Sequence, residues 1–294
     1  MSEKVPTRPV LRWYGGKWKL APWIISHFPK HRVYVEPFGG AGSVLLRKQR
    51  ALAEVWNDLD DWAVNLFRVL RDDLMAARLV ELLRLTPFAR SEFELARQIG
   101  KALGDPVEMA RWLVVRSYMG FGANAHNGRS TGFRASSSRS HTTPAHDWVN
   151  YPDALTLIVE RLRGVTIENR CAHKVMAQHD ALTTLHYVDP PYLPDTRSPA
   201  NRYDLKYRAY RHELSEEDHA KLLNSLRELK GMVVLSGYPS SLYDNALPDW
   251  RRVEVAALAD GARKRTEVLW LNSSCARALD REALPLFSSL MPVA

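Results

Sequence analysis

The stretch that decides the fold of this chain runs from Val33 to Leu46 and reads VYVEPFGGAGSVLL. Its opening is rich in β-branched and aromatic residues, which is typical of a short buried strand over residues 33–37. Three glycines then crowd into Phe38 to Gly42, where they permit a tight turn and a close approach of the backbone to another group. Ser43 opens an apolar stretch with the pattern of a helix start. The predicted order is therefore strand, glycine turn and helix.

A second predicted strand, Ala53 to Trp56, ends in Asn57 and Asp58. An acidic residue at the end of the second strand, about 20 positions after a glycine turn, can hydrogen-bond ribose hydroxyls. The turn lacks the dinucleotide pattern GxGxxG and no P-loop lysine follows it, which argues against NAD and ATP. Together these features predict a cofactor that contains a nucleoside. A purely structural glycine turn is the alternative.

Strand-like and helix-like segments alternate in the second half of the chain. The predicted strands are residues 166–168, 185–188 and 232–235, and the predicted helices between them are residues 153–162 and 215–229. Such alternation is typical of a parallel sheet covered by helices. Near the end of the chain, residues 251–257 and 266–272 flank Asp260-Gly261, which predicts an antiparallel hairpin at the edge of the same sheet.

A region of different character interrupts this α/β pattern. Residues 62–119 carry apolar residues at helical spacing, with helices predicted at residues 91–103, capped by Ser91, and at residues 106–118. Residues 120–151 are rich in Gly, Asn, Ser, Thr and Arg, and a loop of this length is usually functional or disordered. We therefore predict a catalytic α/β domain made of residues 1–62 and 153–294, interrupted by an insert of residues 63–152.

Composition narrows the class of protein. The 294 residues carry a formal net charge of +8, which favours a polyanionic partner such as nucleic acid, with a membrane surface as the alternative. Cys171 and Cys275 form no CxxC pair, so neither a zinc site nor a disulfide framework is predicted. No run of about 18 apolar residues and no signal-peptide pattern occurs. We expect a cytoplasmic protein without a bound metal or a membrane span.

The motif Asp189-Pro190-Pro191-Tyr192 follows the apolar strand at residues 185–188. It therefore lies at a carboxyl end of the sheet, where open α/β sheets bind ligands. The two prolines stiffen the chain and remove two backbone donors, which leaves a carboxylate, carbonyl oxygens and an aromatic ring. These groups accept hydrogen bonds and stack, and this suits a planar base with an amino group. The alternative is a rigid exit from the strand with a surface tyrosine.

Three motifs carry a resemblance to a known family. The DPPY motif at residues 189–192 resembles the signature of amino-methyltransferases that act on adenine, and VEPFGGAG at residues 35–42 is similar to their cofactor motif. LRWYGGK at residues 11–17 resembles the N-terminal cofactor motif of the Dam-like (D12 class) N6-adenine-specific DNA methyltransferases, and the order of the motifs is also theirs. The resemblance implies a Rossmann-like class I methyltransferase fold with a mixed, mostly parallel sheet. It also implies S-adenosylmethionine as cofactor and the adenine amino group of double-stranded DNA as target.

The resemblance also implies a role for each motif residue. The predicted catalytic residues are Asp189, Pro190, Pro191 and Tyr192. The predicted cofactor-binding residues are Trp13, Lys17, Glu36, Phe38, Gly39, Gly40, Gly42, Asp58 and Asp180. Asp58 is expected to hold the ribose hydroxyls and Asp180 to contact the adenine of the cofactor. The alternatives are a core position for Trp13, a solvated charge for Lys17 and a helix cap for Asp180.

The implied mechanism is direct methyl transfer. Asp189 and the carbonyl of Pro190 accept the two N–H bonds of the adenine amino group, so that its lone pair points at the sulfonium methyl. The adenine has to be flipped out of the duplex, and Tyr192 is expected to stack on it. No metal and no covalent enzyme intermediate are needed.

DNA contacts are predicted in two segments. Those in the insert are Asn124, Asn127, Arg129, Ser130, Arg134 and Arg139. A second basic segment contains Arg197, Arg202, Lys206, Arg208 and Arg211, interleaved with Tyr203, Tyr207 and Tyr210, and a solvated mobile loop is its alternative.

The rival functions are an RNA amino-methyltransferase and a non-catalytic DNA-binding regulator. The insert does not clearly reproduce the usual Dam-like hairpin, so we assign no recognition sequence, and a monomer and a homodimer both stay open.

Overall fold

The computed structural model describes residues 5–98, 104–122, 132–137, 142–196, 212–258 and 264–288. Its strands are β1 (Val33–Glu36), β2 (Ala53–Asn57), β3 (Val165–Glu168), β4 (Thr184–Val188), β5 (Met232–Gly237), β6 (Arg251–Leu258) and β7 (Lys264–Leu271). Its helices are α1 (Ala21–Ile25), α2 (Asp61–Arg71), α3 (Asp73–Leu85), α4 (Arg90–Gln98), α5 (Pro106–Met119), α6 (Pro144–Val149), α7 (Tyr151–Leu162), α8 (Ala172–Gln178), α9 (Glu216–Glu228), α10 (Ser241–Ala246) and α11 (Ser273–Ser288).

The strands form one mixed sheet in the order β3-β2-β1-β4-β5-β7-β6. The strands from β3 to β5 run parallel, whereas β7 pairs antiparallel with both β5 and β6. The chain passes from β1 to β2 and β3 on one side, and then returns to form β4 and β5 on the other. Open α/β sheets bind ligands where the strand order reverses in this way, here between β1 and β4. The predicted α/β fold and its C-terminal hairpin at the sheet edge are confirmed.

Helices cover both faces of the sheet because its central strands are apolar on both sides. On β1, Tyr34 belongs to a large hydrophobic cluster with residues of α2, α5 and α7. Its neighbour Val35 points the other way and packs with Val55 and with Val175 of α8. Helix α9 extends this second layer, where Leu222 packs in one cluster with residues of β5. Near-continuous apolar strands are what a parallel sheet buried on both faces requires.

Helices of the predicted insert share the core of the sheet. Phe67 of α2, Leu79 of α3 and Leu113 of α5 are buried in the same cluster as Tyr34. The helices therefore use the sheet to cover their apolar faces. The division of the chain at residues 63 and 153 stays a prediction.

Two local predictions were wrong. Helix α4 begins at Arg90, and its first intrahelical bond runs from Phe93 N–H to Ala89 O at 3.2 Å, so Ser91 lies inside the helix instead of capping it. Residues 99–103 of that predicted helix lie outside the described residues. After Ser43 the chain forms hydrogen-bonded turns instead of a helix. Arg47 N–H bonds to Val44 O three residues back, so the ladder of bonds four residues back that an α-helix needs is interrupted after one turn.

In the part of the chain that the structure describes, no helix combines the length and the apolar character needed to cross a membrane. Cys171 is exposed, Cys275 is buried, and both are free thiols.

Candidate active site

A cleft opens at the carboxyl ends of β1, β2 and β4. These three strands meet at the switch point, so the residues that follow them share one wall of the cleft. The N-terminal motif, residues 13–17, forms another wall. The predicted site residues that line the cleft are Trp13, Lys17, Glu36, Phe38, Gly39, Gly40, Asp58, Asp189 and Pro191.

The glycine turn lies close against two indole rings. Gly39 N–H donates to Asn57 O at 2.7 Å, which fastens the turn to the end of β2. A Cβ on Gly39 would collide with the indole of Trp56, and one on Gly40, where φ is +49°, would lie 2.8 Å from Trp13 Nε1. Residues with a side chain are therefore excluded at Gly39 and Gly40, and the backbone of the turn itself faces the cleft. Gly42 completes the turn but does not line the cleft.

Asp58 holds the two loops of this wall together. Its Oδ2 accepts from Gly40 N–H at 2.7 Å, and its Oδ1 accepts from Asp60 N–H at 2.8 Å. Burial raises the pKa of Asp58 to about 6, although both backbone hydrogen bonds act to lower it. A carboxylate offers about four acceptor positions. Asp58 therefore anchors the glycine turn and keeps capacity for hydroxyl donors in the cleft.

Glu36 is the buried acidic group of the same wall, with 3% of its surface exposed. Its Oε2 accepts from Tyr34 Oη at 2.8 Å and from Leu45 N–H at 3.1 Å. Burial raises the pKa of Glu36 to about 8; the Tyr34 hydrogen bond lowers it, and the charge of Asp189 raises it further. A cationic group in the cleft would favour the ionised form of this carboxyl.

Asp189, the first residue of the DPPY motif, is paired with the lysine of the N-terminal motif. Lys17 Nζ lies 3.0 Å from Asp189 Oδ1 and 3.6 Å from Oε1 of Glu267. Burial acts to lower the pKa of Lys17, but the charges of Asp189 and Glu267 outweigh it and hold the pKa well above its usual range. Burial raises the pKa of Asp189 to about 6, with Lys17 acting to lower it and Glu267 to raise it. Lys17 is therefore a buried cation of the site and not a solvated charge.

Tyr192 and Pro190 are buried behind the cleft. The Tyr192 hydroxyl bonds to Glu267 Oε1 and lies 3.0 Å from Ser236 Oγ. Lys17 Nζ lies 4.5 Å from the centroid of the Tyr192 ring, and the Tyr238 ring meets that ring edge-on at 4.6 Å. The ring that was predicted to stack on a base thus already contacts Lys17 and Tyr238, and its predicted stacking stays a prediction.

Asp180 is not part of the cleft, so its predicted contact with the cofactor is wrong. It precedes β4 and therefore lies at the amino ends of the strands, where its carboxylate accepts from the N–H groups of Lys230 and Gly231, each at 2.9 Å. No helix follows it, so the alternative of a helix cap is wrong as well. Ala172, which follows β3 at the carboxyl ends, lines the cleft instead. The predicted end of the strand at residues 166–168 was the feature of the sequence that indicated this position.

Sequence reasoning missed Glu267, which lies on β7 with 3% of its surface exposed. A signal was present. Side chains alternate along a strand, and Glu267 shares its face with the fully buried Leu269 and Leu271. A charged residue in phase with core leucines is rarely buried without a partner.

Arg134, a predicted DNA contact, is buried and turned toward Asp147, so its predicted role is corrected. It is 8% exposed, its Nη2 lies 3.4 Å from Asp147 Oδ2, and its N–H donates to Met119 O. It therefore fastens the segment after α5 to helix α6. The other predicted DNA contacts lie outside the described residues; these are Asn124, Asn127, Arg129, Ser130, Arg139, Arg197, Arg202, Lys206, Arg208 and Arg211, and the interleaved tyrosines Tyr203, Tyr207 and Tyr210.

Phe121 is an exposed aromatic residue that the sequence reasoning did not single out. It follows α5, and 71% of its surface is exposed. Its neighbour Gly120 accepts a hydrogen bond from Arg12 Nη1 at 3.2 Å, and Arg12 adjoins Trp13 in the wall of the cleft. Phe121 therefore projects close to the N-terminal motif.

In the described ranges, His, Cys, Asp and Glu side chains do not gather in groups of three or more that could hold a metal ion.

Comparison of the sequence with known proteins identifies related methyltransferases. The model of the D12 class N6 adenine-specific DNA methyltransferase family matches residues 13–259. The type II methyltransferase M1.LlaDCHI of Lactococcus lactis subsp. cremoris is 27% identical over 295 aligned positions, which cover 92% of this chain and 97% of the relative. The DNA adenine methylase of Escherichia coli (strain K12) is 26% identical over 231 positions, 74% of this chain and 80% of the relative.

The family match takes in every cleft residue from Trp13 to Leu214. It covers the glycine turn, Asp58 and the DPPY motif in one continuous region. This chain therefore belongs to the D12 class N6 adenine-specific DNA methyltransferase family, and it is an enzyme that methylates adenine in DNA.

Proposed function

We propose that the enzyme takes its methyl group from S-adenosylmethionine and transfers it to N6 of an adenine rotated out of duplex DNA. The observation that carries the proposal is that Asp189, the glycine turn and Asp58 line the same cleft. A group that accepts hydrogen bonds from a base thus lies beside a nucleoside-binding wall. Direct transfer between two ligands needs such proximity.

The charge of the cleft and its glycine turn suit S-adenosylmethionine. Its described lining holds the acidic side chains of Glu36, Asp58, Asp60 and Asp189 together with Lys17, and such an acidic lining attracts a ligand with a sulfonium and an α-ammonium group. The bare backbone of the glycine turn lets the ligand approach closely. In this proposal Glu36 binds the methionine end and Asp58 the ribose hydroxyls. When bound, the cofactor supplies a methyl group that is already activated.

Asp189 and Pro190 position the target. The lone pair of the adenine amino group is delocalised into the ring, so the nitrogen is a poor nucleophile. Acceptance of its two N–H bonds by the Asp189 carboxylate and the Pro190 carbonyl favours a pyramidal nitrogen with a directed lone pair. Asp189 is also the nearest base for the proton that this nitrogen loses. Catalysis then depends on positioning and electrostatics.

The insert of residues 63–152 is proposed to recognise the DNA target. Phe121 supports this, because exposed apolar side chains of DNA-binding proteins insert between base pairs and unstack them. Inserted there, Phe121 helps to keep the adenine out of the helix, a state that costs a few kcal/mol. Phe121→Ala is expected to slow methylation of a paired adenine roughly tenfold, while an adenine opposite an abasic site is methylated at nearly the parent rate. Equal losses on both substrates would contradict this role.

The main test supplies labelled S-adenosylmethionine with unmethylated duplex DNA and then digests the DNA to nucleosides. The parent is expected to form N6-methyladenine, and Asp189→Ala to lose at least about 100-fold in rate. Asp153→Ala is a matched control, because its side chain is 73% exposed on α7, and it is expected to match the parent. Label in RNA with none in DNA would overturn the proposal.

A further inference from the structure

Glu267 belongs to the active-site cluster but lies outside both the sequence motifs and the region matched by the family. A single atom of it, Oε1, meets three partners. The Tyr192 hydroxyl bonds to Oε1, Ser236 Oγ donates to it at 3.1 Å, and Lys17 Nζ lies 3.6 Å away. This oxygen thus joins β7, β5, the loop after β4 and the N-terminal motif.

The arrangement shares the charge of Lys17 between two carboxylates. Lys17 Nζ is nearer to Asp189, at 3.0 Å, than to Glu267, and it also lies over the ring of Tyr192. With a neutral residue in place of Glu267, the ammonium would be attracted to Asp189 alone. Asp189 would then be a weaker acceptor for a hydrogen bond from the substrate, because the lysine would largely neutralise its negative charge.

We propose that Glu267 is a positioning residue for methyl transfer, which holds Lys17 and Tyr192 in place beside Asp189 and keeps the Asp189 carboxylate a strong acceptor. It acts through those three residues and not by contact with the substrate. The inference rests on the proposed function, since it assigns Asp189 the task of holding the target amino group.

The electrostatic environment of Asp189 supports this role. Burial raises the pKa of Asp189 to about 6, Lys17 acts to lower it and Glu267 to raise it. Among the described residues, further titratable groups that interact with it are Glu36 on β1, Tyr187 on β4, Tyr192, and Tyr243 on α10. Removal of the negative charge of Glu267 therefore makes Asp189 ionise more easily and moves its pKa downward.

The test is the variant Glu267→Gln, which removes the charge but keeps an oxygen that accepts from Tyr192 and Ser236. Single-turnover methylation of duplex DNA is measured against pH, with cofactor affinity and thermal unfolding measured in parallel. On the alkaline plateau the rate is expected to fall roughly 10- to 100-fold, within the loss that a displacement of about 1 Å causes. The acid midpoint is expected to move to lower pH, while the Kd for cofactor and the Tm stay near the parent values.

Two control variants isolate the charge. Glu254→Gln makes the same change on β6 of the same hairpin, where the side chain is 53% exposed, and it is expected to alter neither rate nor midpoint. Ser236→Ala removes one donor to Glu267 without a change of charge, so its acid midpoint is expected to stay with the parent.

Each outcome decides the inference. A Glu267→Gln enzyme with the parent rate and midpoint would overturn it and leave the proposed function standing. A lower rate with a lower Tm and a fixed midpoint would make Glu267 merely structural and would overturn it too. If the parent forms no N6-methyladenine, the proposed function fails and the inference fails with it.

Discussion

The described part of the chain contains a buried cluster of charge beside the cleft and another between β2 and α7. The site cluster consists of Lys17, Asp189 and Glu267, and the core cluster consists of Lys48, Glu54 and Arg161. In the core cluster, Lys48 Nζ and Arg161 Nη1 each lie 2.6 Å from an oxygen of Glu54. In the site cluster, one ammonium lies 3.0 Å from one carboxylate and 3.6 Å from the other.

The balance of charge is opposite in the two clusters. Two cations surround one carboxylate in the core cluster; burial acts to raise the pKa of Glu54, but Arg161 and Lys48 outweigh it and lower the pKa. One cation serves two carboxylates in the site cluster, and the pKa of Asp189 is raised to about 6. A structural cluster is thus closed by short contacts within the protein. The site cluster has more carboxylates than cations and therefore keeps acceptor capacity for a ligand. This surplus of carboxylates distinguishes the functional cluster from the structural one.

The largest effect is expected where the core cluster is broken. Arg161→Ala removes the bidentate partner of Glu54, and the free energy of unfolding is expected to fall by about 3–5 kcal/mol, since Glu54 Oε2 and the Leu45 carbonyl lose their buried donor. Arg163→Ala is the control, because this arginine is 56% exposed and its ion pairs are expected to contribute at most about 1 kcal/mol. Urea denaturation measures both. A smaller loss in Arg161→Ala than in Arg163→Ala would break the comparison.

The next effect concerns catalysis. The rate of the parent is expected to fall as the pH drops through about 6, because a protonated Asp189 is a weaker acceptor and cannot take the proton that the target nitrogen loses. Lys17→Met removes the charge that lowers the pKa of Asp189, so the acid midpoint is expected to rise and the plateau rate to fall about 100-fold. Lys17→Arg keeps the charge and is expected to restore the midpoint. Single-turnover rates across pH measure this, and an unmoved midpoint in Lys17→Met would contradict the role given to the site cluster.

The smallest expected effect is on cofactor binding, and it compares two aspartates at opposite ends of the sheet. Asp58→Ala is expected to raise the Kd for S-adenosylmethionine roughly tenfold or more, the cost of lost hydrogen bonds to a charged group. Asp180→Ala is expected to leave that Kd unchanged and to lower the Tm, because Asp180 binds the N–H groups of Lys230 and Gly231 at the other end of the sheet. Calorimetric titration decides. Weaker binding by Asp180→Ala would return Asp180 to the cofactor site.

The sequence predicted the parts of the site that are formed by neighbours along the chain. The glycine turn, Asp58 and the DPPY motif each follow a strand, and a strand end is recognisable from local pattern alone. Their convergence followed from the rule that ligands bind at carboxyl ends of parallel strands. Asp180 failed that rule, because it lies ahead of a strand and not after one.

The sequence by itself determined the α/β class, the strand ends that build the cleft, and the motifs that carry the chemistry. Only the tertiary structure decided that Glu267 joins Lys17 and Tyr192, that Arg134 is held by Asp147, and that the helices after β2 share the core of the sheet. The physical reason is the separation along the chain of the residues that determine each feature. A motif is set by backbone preferences over a few residues, whereas burial and charge pairing depend on which distant segments the packed sheet brings together.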